Sequence, residues 1–127
     1  MLVAYTMIGS NDLPRSIALY TPVMEVLGAR KIEAYSTEKR IWFGRDGAGM
    51  LAIGATFDGQ PATGGNGTMV ALAASTPEMV AAAHTKALDM GATDEGAPGT
   101  RGNPTWFGAY FRDFDGNKIA IFTIVNL

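Results

Sequence analysis

The side chains able to do chemistry are few. The chain has one histidine, His84, and no cysteine among its 127 residues. That rules out a thiolate zinc site, a cysteine nucleophile and any disulfide. His84 falls among Val80, Ala87 and Leu88, and reads as a packed or half-exposed helix histidine, because metal sites draw on clusters of histidines and carboxylates. The acids near the predicted strands, Asp46, Asp113 and Asp115, sit in turn-forming stretches. What remains is phenolic and cationic. Tyr5 and Tyr110 are candidate hydrogen-bond donors or acid–base groups, and Arg40 and Arg101 could pair with a ligand anion. An ordinary tyrosine pKa of about 10 makes acid–base work demanding unless a pocket shifts it. Rim tyrosines with satisfied hydroxyls and solvated arginines are the plainer alternatives.

The elements that must position these groups come in two similar sets. Leu27-Gly28-Ala29 recurs as Met90-Gly91-Ala92, 63 residues on, and Trp42-Phe43-Gly44 recurs as Trp106-Phe107-Gly108, 64 residues on. Such a period is the mark of a duplicated unit. The first set reads as a strand over 2–9 and then a helix from Asn11-Asp12 to Gly28. Leu13, Ile17, Tyr20, Met24 and Leu27 give that helix one apolar face. Asp12 caps it, Pro14 fits its first turn, and Pro22 predicts a kink or a split. Strands follow near 31–36, 40–44 and 49–55. The second set predicts a strand over 68–74, a helix over 76–90 opened by Ser-Thr-Pro-Glu, and strands near 92–95, 105–112 and 117–125. Asp115-Gly116 turns the last two into a hairpin. The layout is βαβββ twice. Between the halves, residues 58–67 (DGQPATGGNG) read as a connecting loop. They open a strand rather than a helix, which argues against a phosphate cradle.

Alternation within the strands separates two faces. Ile41, Phe43, Leu51, Ile53, Val70, Leu72, Phe107, Ala109, Phe111, Ile119 and Ile121 share a face that belongs under helices. The opposite face carries Arg40, Trp42, Met50, Ala52, Met69, Ala71, Trp106, Tyr110, Ala120 and Phe122, with Tyr5 and Met7 from the first strand. Small residues leave space and aromatic rings wall it, which suits an organic ligand. The same composition serves a dimer interface or a filled barrel, but the number and central placement of the small residues favour a pocket. By the repeat, Trp42 and Trp106 would face each other across one cavity floored by Ala52, Ala71 and Ala120.

Composition narrows the partners. The chain is 47% apolar with a net charge of −2, so no basic field gathers nucleic acid or anionic lipid. The longest apolar run, Met69 to Ala74, falls far short of the ~20 residues of a membrane helix. No basic stretch followed by an apolar one opens the chain, so no secretory leader is expected. The absence of cysteine is compatible with the cytoplasm, which is the expected location.

Two βαβββ units, the segment NDLPRSIALY after the first strand, and RDFDGNKIAIF near the end together resemble the vicinal oxygen chelate superfamily of glyoxalases, bleomycin-resistance proteins, fosfomycin-resistance enzymes and extradiol dioxygenases. Phe114 stands where that closing motif usually has proline. The resemblance covers essentially the whole chain and implies a single α+β domain over 1–127. Its two modules, about 1–57 and 68–127, would form a curved, half-barrel mixed sheet with helices on the outer face. It also implies a divalent metal held at four positions, which fall here on Tyr5, Ala52, Met69 and Ala120. Alanine offers no donor and a thioether is a poor partner for hard ions, so neither metal nor another cofactor is expected. Tyr110 stands ten residues before Ala120, like an active-site tyrosine of the dioxygenases. One fold hosts many chemistries, and three functions remain. One is a metal-free binder of a small organic molecule, as in the bleomycin-resistance branch. The second is a lyase, isomerase or transferase working through Tyr5 or Tyr110 with Arg40. The third is a metal-dependent glyoxalase or dioxygenase with ligands elsewhere. The donor-poor chain favours the first, as a homodimer.

Overall fold

Helix ends are where the repeat acquires a physical meaning. In the computed structural model, which describes residues 2–125, Asp12 accepts the Arg15 N–H at 3.2 Å and opens α1 (Leu13–Val26). The Thr76 hydroxyl accepts the Met79 N–H at 3.1 Å and opens α2 (Pro77–Asp89). Both helices close alike. Gly28 and Gly91 take positive φ (77° and 103°), and the following residue reaches back, Ala29 N to Met24 O and Ala92 N to Ala87 O. This is a Schellman-type stop, which glycine enters without a Cβ penalty. The recurring Gly-Ala is therefore a pair of matched helix stops. Pro22 lies within α1 and does not split it.

Around the helices run β1 (Tyr5–Gly9), β2 (Arg30–Lys31), β3 (Arg40–Gly44) and β4 (Met50–Gly54), then β5 (Val70–Ala73), β6 (Thr93–Arg101), β7 (Asn103–Arg112) and β8 (Lys118–Ile124). The order is the expected βαβββ repeated, with one four-stranded mixed sheet to each module. The sheets run β1-β4-β3-β2 and β5-β8-β7-β6, with β1 parallel to β4 and β5 parallel to β8. Each helix packs on its own module's sheet, α1 on β2, β3 and β4 and α2 on β6, β7 and β8, and the helices pack on each other. The Ile, Leu, Val and Phe face of both sheets joins the helices in one apolar core.

The first strand begins at Tyr5 rather than near residue 2, and two others differ more from the sequence expectation. The strand near 31–36 shrinks to Arg30–Lys31 because Ser36 competes with the ladder. Its hydroxyl donates to Ile32 O at 2.8 Å and accepts the Trp42 N–H at 3.1 Å, closing a turn where alternation predicted extension. The strand near 92–95 instead continues to Arg101 and pairs with β7 through three register shifts. Gly96, Pro98 and Gly99 look like loop residues, but an edge strand with bulges tolerates them.

The RDFDGN loop is a clasp between modules. Asp113 is buried, and its carboxylate accepts four hydrogen bonds: from the N–H groups of Asp115 and Asn117 (2.9 Å each), from Asn117 Nδ2 (2.9 Å), and from the Tyr20 hydroxyl of α1 (2.6 Å). Asn117 Nδ2 also donates to Gly9 O at 3.0 Å, and Asp115 accepts the Asn11 N–H at 2.8 Å. Asn11 in turn binds both the N–H and the carbonyl of Ala62 in the connecting loop. Gly64 of that loop lies against the Gly116 backbone, where a Cβ would collide. Gly64 is thus required for close approach of the two backbones.

Candidate functional site

Strand register, not sequence offset, decides which residues of the two modules correspond. Met7 opposes Ala52 and Ala71 opposes Ala120, so the two alanines are equivalent. Across the next strand, Ala52 faces Trp42 while Ala120 faces Tyr110; Trp106 faces Ile124. Tyr110, not Trp106, therefore occupies the place of Trp42. The second Trp-Phe-Gly lies four residues earlier along its strand than the repeat implies, and the two tryptophans do not form matched walls.

Of the residues expected on the ligand face, those within strands lie opposite the core face by register. In module 1, Tyr5, Met7, Arg40, Trp42, Met50 and Ala52 share the side of the sheet away from α1. The Tyr5 ring meets Trp42 edge-on at 4.9 Å, and Tyr35 meets Trp42 at 6.2 Å. In module 2, Ala71, Trp106, Tyr110, Ala120 and Phe122 share the corresponding side, with Met69 just ahead of β5. Trp106 meets Phe122 edge-on at 5.8 Å. The Tyr110 ring lies 5.4 Å from the Arg101 guanidinium and 5.3 Å from Lys118 Nζ. No helix covers these faces, and Tyr5 and Trp106 are about half exposed (54% and 51%). The alanine floor is less open than expected. Ala71 is exposed, but Ala52 (0%) and Ala120 (4%) are closed over.

Two hollows adjoin these faces. One, of about 220 Å³, lies at the seam between modules, lined by Met24 and Leu27 of α1, by Val3, Thr6 and Met50, and by Val70 to Ala73 of β5. It brings together Met50 and Ala71 from the expected ligand face, and its walls are mostly aliphatic. The other, of about 400 Å³, lies at the end of the module 1 face, lined by Arg40, Trp42, Tyr35, Thr37, Lys39, Ala55, Thr56 and Phe57. Of its walls, sequence reasoning found Arg40 and Trp42. The others lie in turns, beyond the reach of strand alternation. The available signal was aromatic residues in otherwise polar turns, Tyr35 and Phe57. Neither hollow is lined by Trp106.

The side chains at the four positions do not suit the metal that the fold resemblance implies. Tyr5, Ala52, Met69 and Ala120 offer one phenol, one thioether and two methyl groups, which do not fit a hard divalent ion. Among the described residues no three His, Asp or Glu side chains converge. His84 is buried on α2, its Nε2 lying 3.1 Å from Asp94 Oδ1 and 3.2 Å from the Tyr110 carbonyl. The Gly96 N–H at 2.9 Å, and then His84, hold the Asp94 carboxyl below its ordinary range. This histidine braces β6 and β7 from the core side. No helix among the described residues is long and apolar enough to cross a membrane.

Comparison with known proteins agrees with this architecture. The sequence model of the Glyoxalase/Bleomycin resistance protein/Dioxygenase superfamily matches residues 2–121. A glyoxalase/bleomycin resistance protein from Albidiferax ferrireducens T118 is 35% identical and superimposes with a TM-score of 0.86 over 96% of this chain and 98% of its own. A glyoxalase/bleomycin resistance protein/dioxygenase family enzyme from Burkholderia phytofirmans PsJN, 21% identical, shares the fold with a TM-score of 0.75 over 96% and 98% of the two chains. The hypothetical protein SA1046 from S. aureus, 19% identical, does so with a TM-score of 0.72 over 97% and 94%. No curated protein matches the sequence.

Proposed function

The chain belongs to the Glyoxalase/Bleomycin resistance protein/Dioxygenase superfamily, and we propose that it is a member that binds a small organic molecule on its inner sheet face, without metal and as a homodimer. The observation that carries the small-molecule part is the aromatic hollow at the end of the module 1 face, walled by Trp42, Tyr35, Arg40 and Phe57; Tyr5, Met7, Met69 and Trp106, exposed outside it, support the homodimer. A soluble chain seldom leaves such surface bare unless something docks on it. Rings and sulfur atoms beside small residues accept flat, largely apolar molecules through contact area rather than directed bonds. The residues at the four metal positions point to the same conclusion, since they supply one phenol, one thioether and two methyl groups where metal chemistry needs carboxylates and imidazoles.

The test is a titration of untagged protein with a panel of flat aromatic compounds, followed by tryptophan fluorescence, with elemental analysis of the same preparation. Saturable quenching by at least one compound, with far less than one equivalent of transition metal per chain, is the expected result. No quenching by any member, or near-stoichiometric metal, overturns the proposal.

A further inference from the structure

We propose that the hollow at the end of the module 1 face selects planar anions, an aromatic or conjugated carboxylate or sulfonate being the ligand class. This rests on the small-molecule reading above and gives it a charge. Arg40 and Lys39 both line the hollow with Trp42, Tyr35 and the hydroxyl-bearing Thr37 and Thr56. Among the described residues neither cation has an ion pair; the salt bridges there join Lys31 to Glu33, His84 to Asp94 and Arg112 to Glu95. Arg40 Nε is buried and has no hydrogen-bond partner. A buried guanidinium donor left unmatched is costly, and a carboxylate or sulfonate is the group whose geometry its fork fits. Glu38 and Asp58 lie nearby in the sequence, yet no carboxylate lines the hollow.

The walls select shape as the cations select charge. Trp42 is held by edge contacts to Tyr5 and Tyr35, which leaves an aromatic surface of fixed orientation beside the guanidinium. Phe57 is fully exposed (103%) at the rim, where a flat ligand would bury it. At about 400 Å³ the hollow is near the small end of ligand clefts, which run from ~300 to ~1,000 Å³. A compact one- or two-ring molecule fits better than a large antibiotic. The module 2 face carries cations of its own, Lys118 and Arg101 flanking Tyr110, in a chain whose net charge is −2.

The experiment compares 2-naphthoate with its neutral isostere 2-naphthamide, using Trp42 as the sole reporter in a Trp106→Phe background. In that protein naphthoate should bind about tenfold or more tighter than naphthamide, the scale of one charge-assisted contact. Arg40→Gln should erase the preference, measured as the ratio of the two affinities within each variant, and Arg40→Lys should restore part of it. Far-UV circular dichroism confirms that each variant folds. Equal affinity for the two probes, or a preference that survives Arg40→Gln, overturns the inference while the small-molecule reading stands. Failure of both probes to bind overturns the inference as well, and the aromatic panel then decides whether the broader reading falls with it.

Discussion

At the scale of single residues, the most heavily bonded side chain among the described residues is that of Asp113, and its work is structural. Four donors converge on one buried carboxylate, and one of them, the Tyr20 hydroxyl, comes from the other module. Tyr20→Phe removes that link and leaves an oxygen short of a partner, which should cost about 1–3 kcal/mol. Asp113→Ala should cost more, because it strands the donors in a buried setting. Burial, and then the negative charge of Asp113, pushes the Tyr20 pKa well above its ordinary value. The sign follows from proton counting. Above about pH 10 the unfolded tyrosine releases its proton while the folded one keeps it, so stability falls as pH rises past that point. Urea midpoints at pH 8 and pH 11 should show a smaller alkaline loss for Tyr20→Phe than for the parent. An identical loss in both would show that Tyr20 is not coupled to the clasp.

At the scale of elements, legibility tracked how local the determining interaction was. Both helices could be read from Asp12, Thr76 and the two Gly-Ala stops, because caps are satisfied within one turn of chain. Of the kink or split expected at Pro22, the split does not occur, since tertiary packing of α1 overrides a local penalty. Residues 32–36 looked like a strand because alternation is blind to a serine hydroxyl that takes over the backbone's bonds. Residues 96–101 fell outside the expected strand because glycine and proline signal turns equally well whether or not a partner strand can absorb bulges. The paired helix stops supply a test of the local argument. At Gly28 nothing lies within reach of an added methyl, so Gly28→Ala should cost only the positive-φ strain, about 1–2 kcal/mol. At Gly91 the same methyl also meets the Phe114 ring at 3.2 Å. Gly91→Ala should therefore shift the urea midpoint further than Gly28→Ala. Equal shifts would mean that Phe114 yields freely.

At the scale of the whole molecule, the sequence showed which residues share a face, but not how the two faces correspond. Alternation places side chains up or down a strand with no knowledge of its neighbour, so Tyr5, Trp42, Ala120 and their companions were legible as one surface. Register depends on hydrogen bonds between distant segments, which is why the matched Trp-Phe-Gly triplets suggested an equivalence that the ladders give to Trp42 and Tyr110 instead. The resulting surface has an arrangement that a single chain leaves unfinished. Met7, Tyr5 and Met69 stand exposed on or beside β1 and β5, the edge strands of the two sheets, while Trp106 and Ile124 stand exposed on β7 and β8. A compact aromatic anion in the module 1 hollow would cover little of this. A second copy of the chain covers it best, because a twofold contact buries the same patch twice and also shields strand edges from open-ended pairing. Light scattering at micromolar concentration should accordingly give twice the 13.4 kDa of the chain. Trp106→Arg places a charge within the proposed contact, on a side chain already half exposed, so it should release folded monomer with an unchanged circular dichroism spectrum. A parent protein that scatters as a monomer would remove the dimer from the proposed function. A Trp106→Arg protein that remains dimeric would move the interface to another face of the molecule.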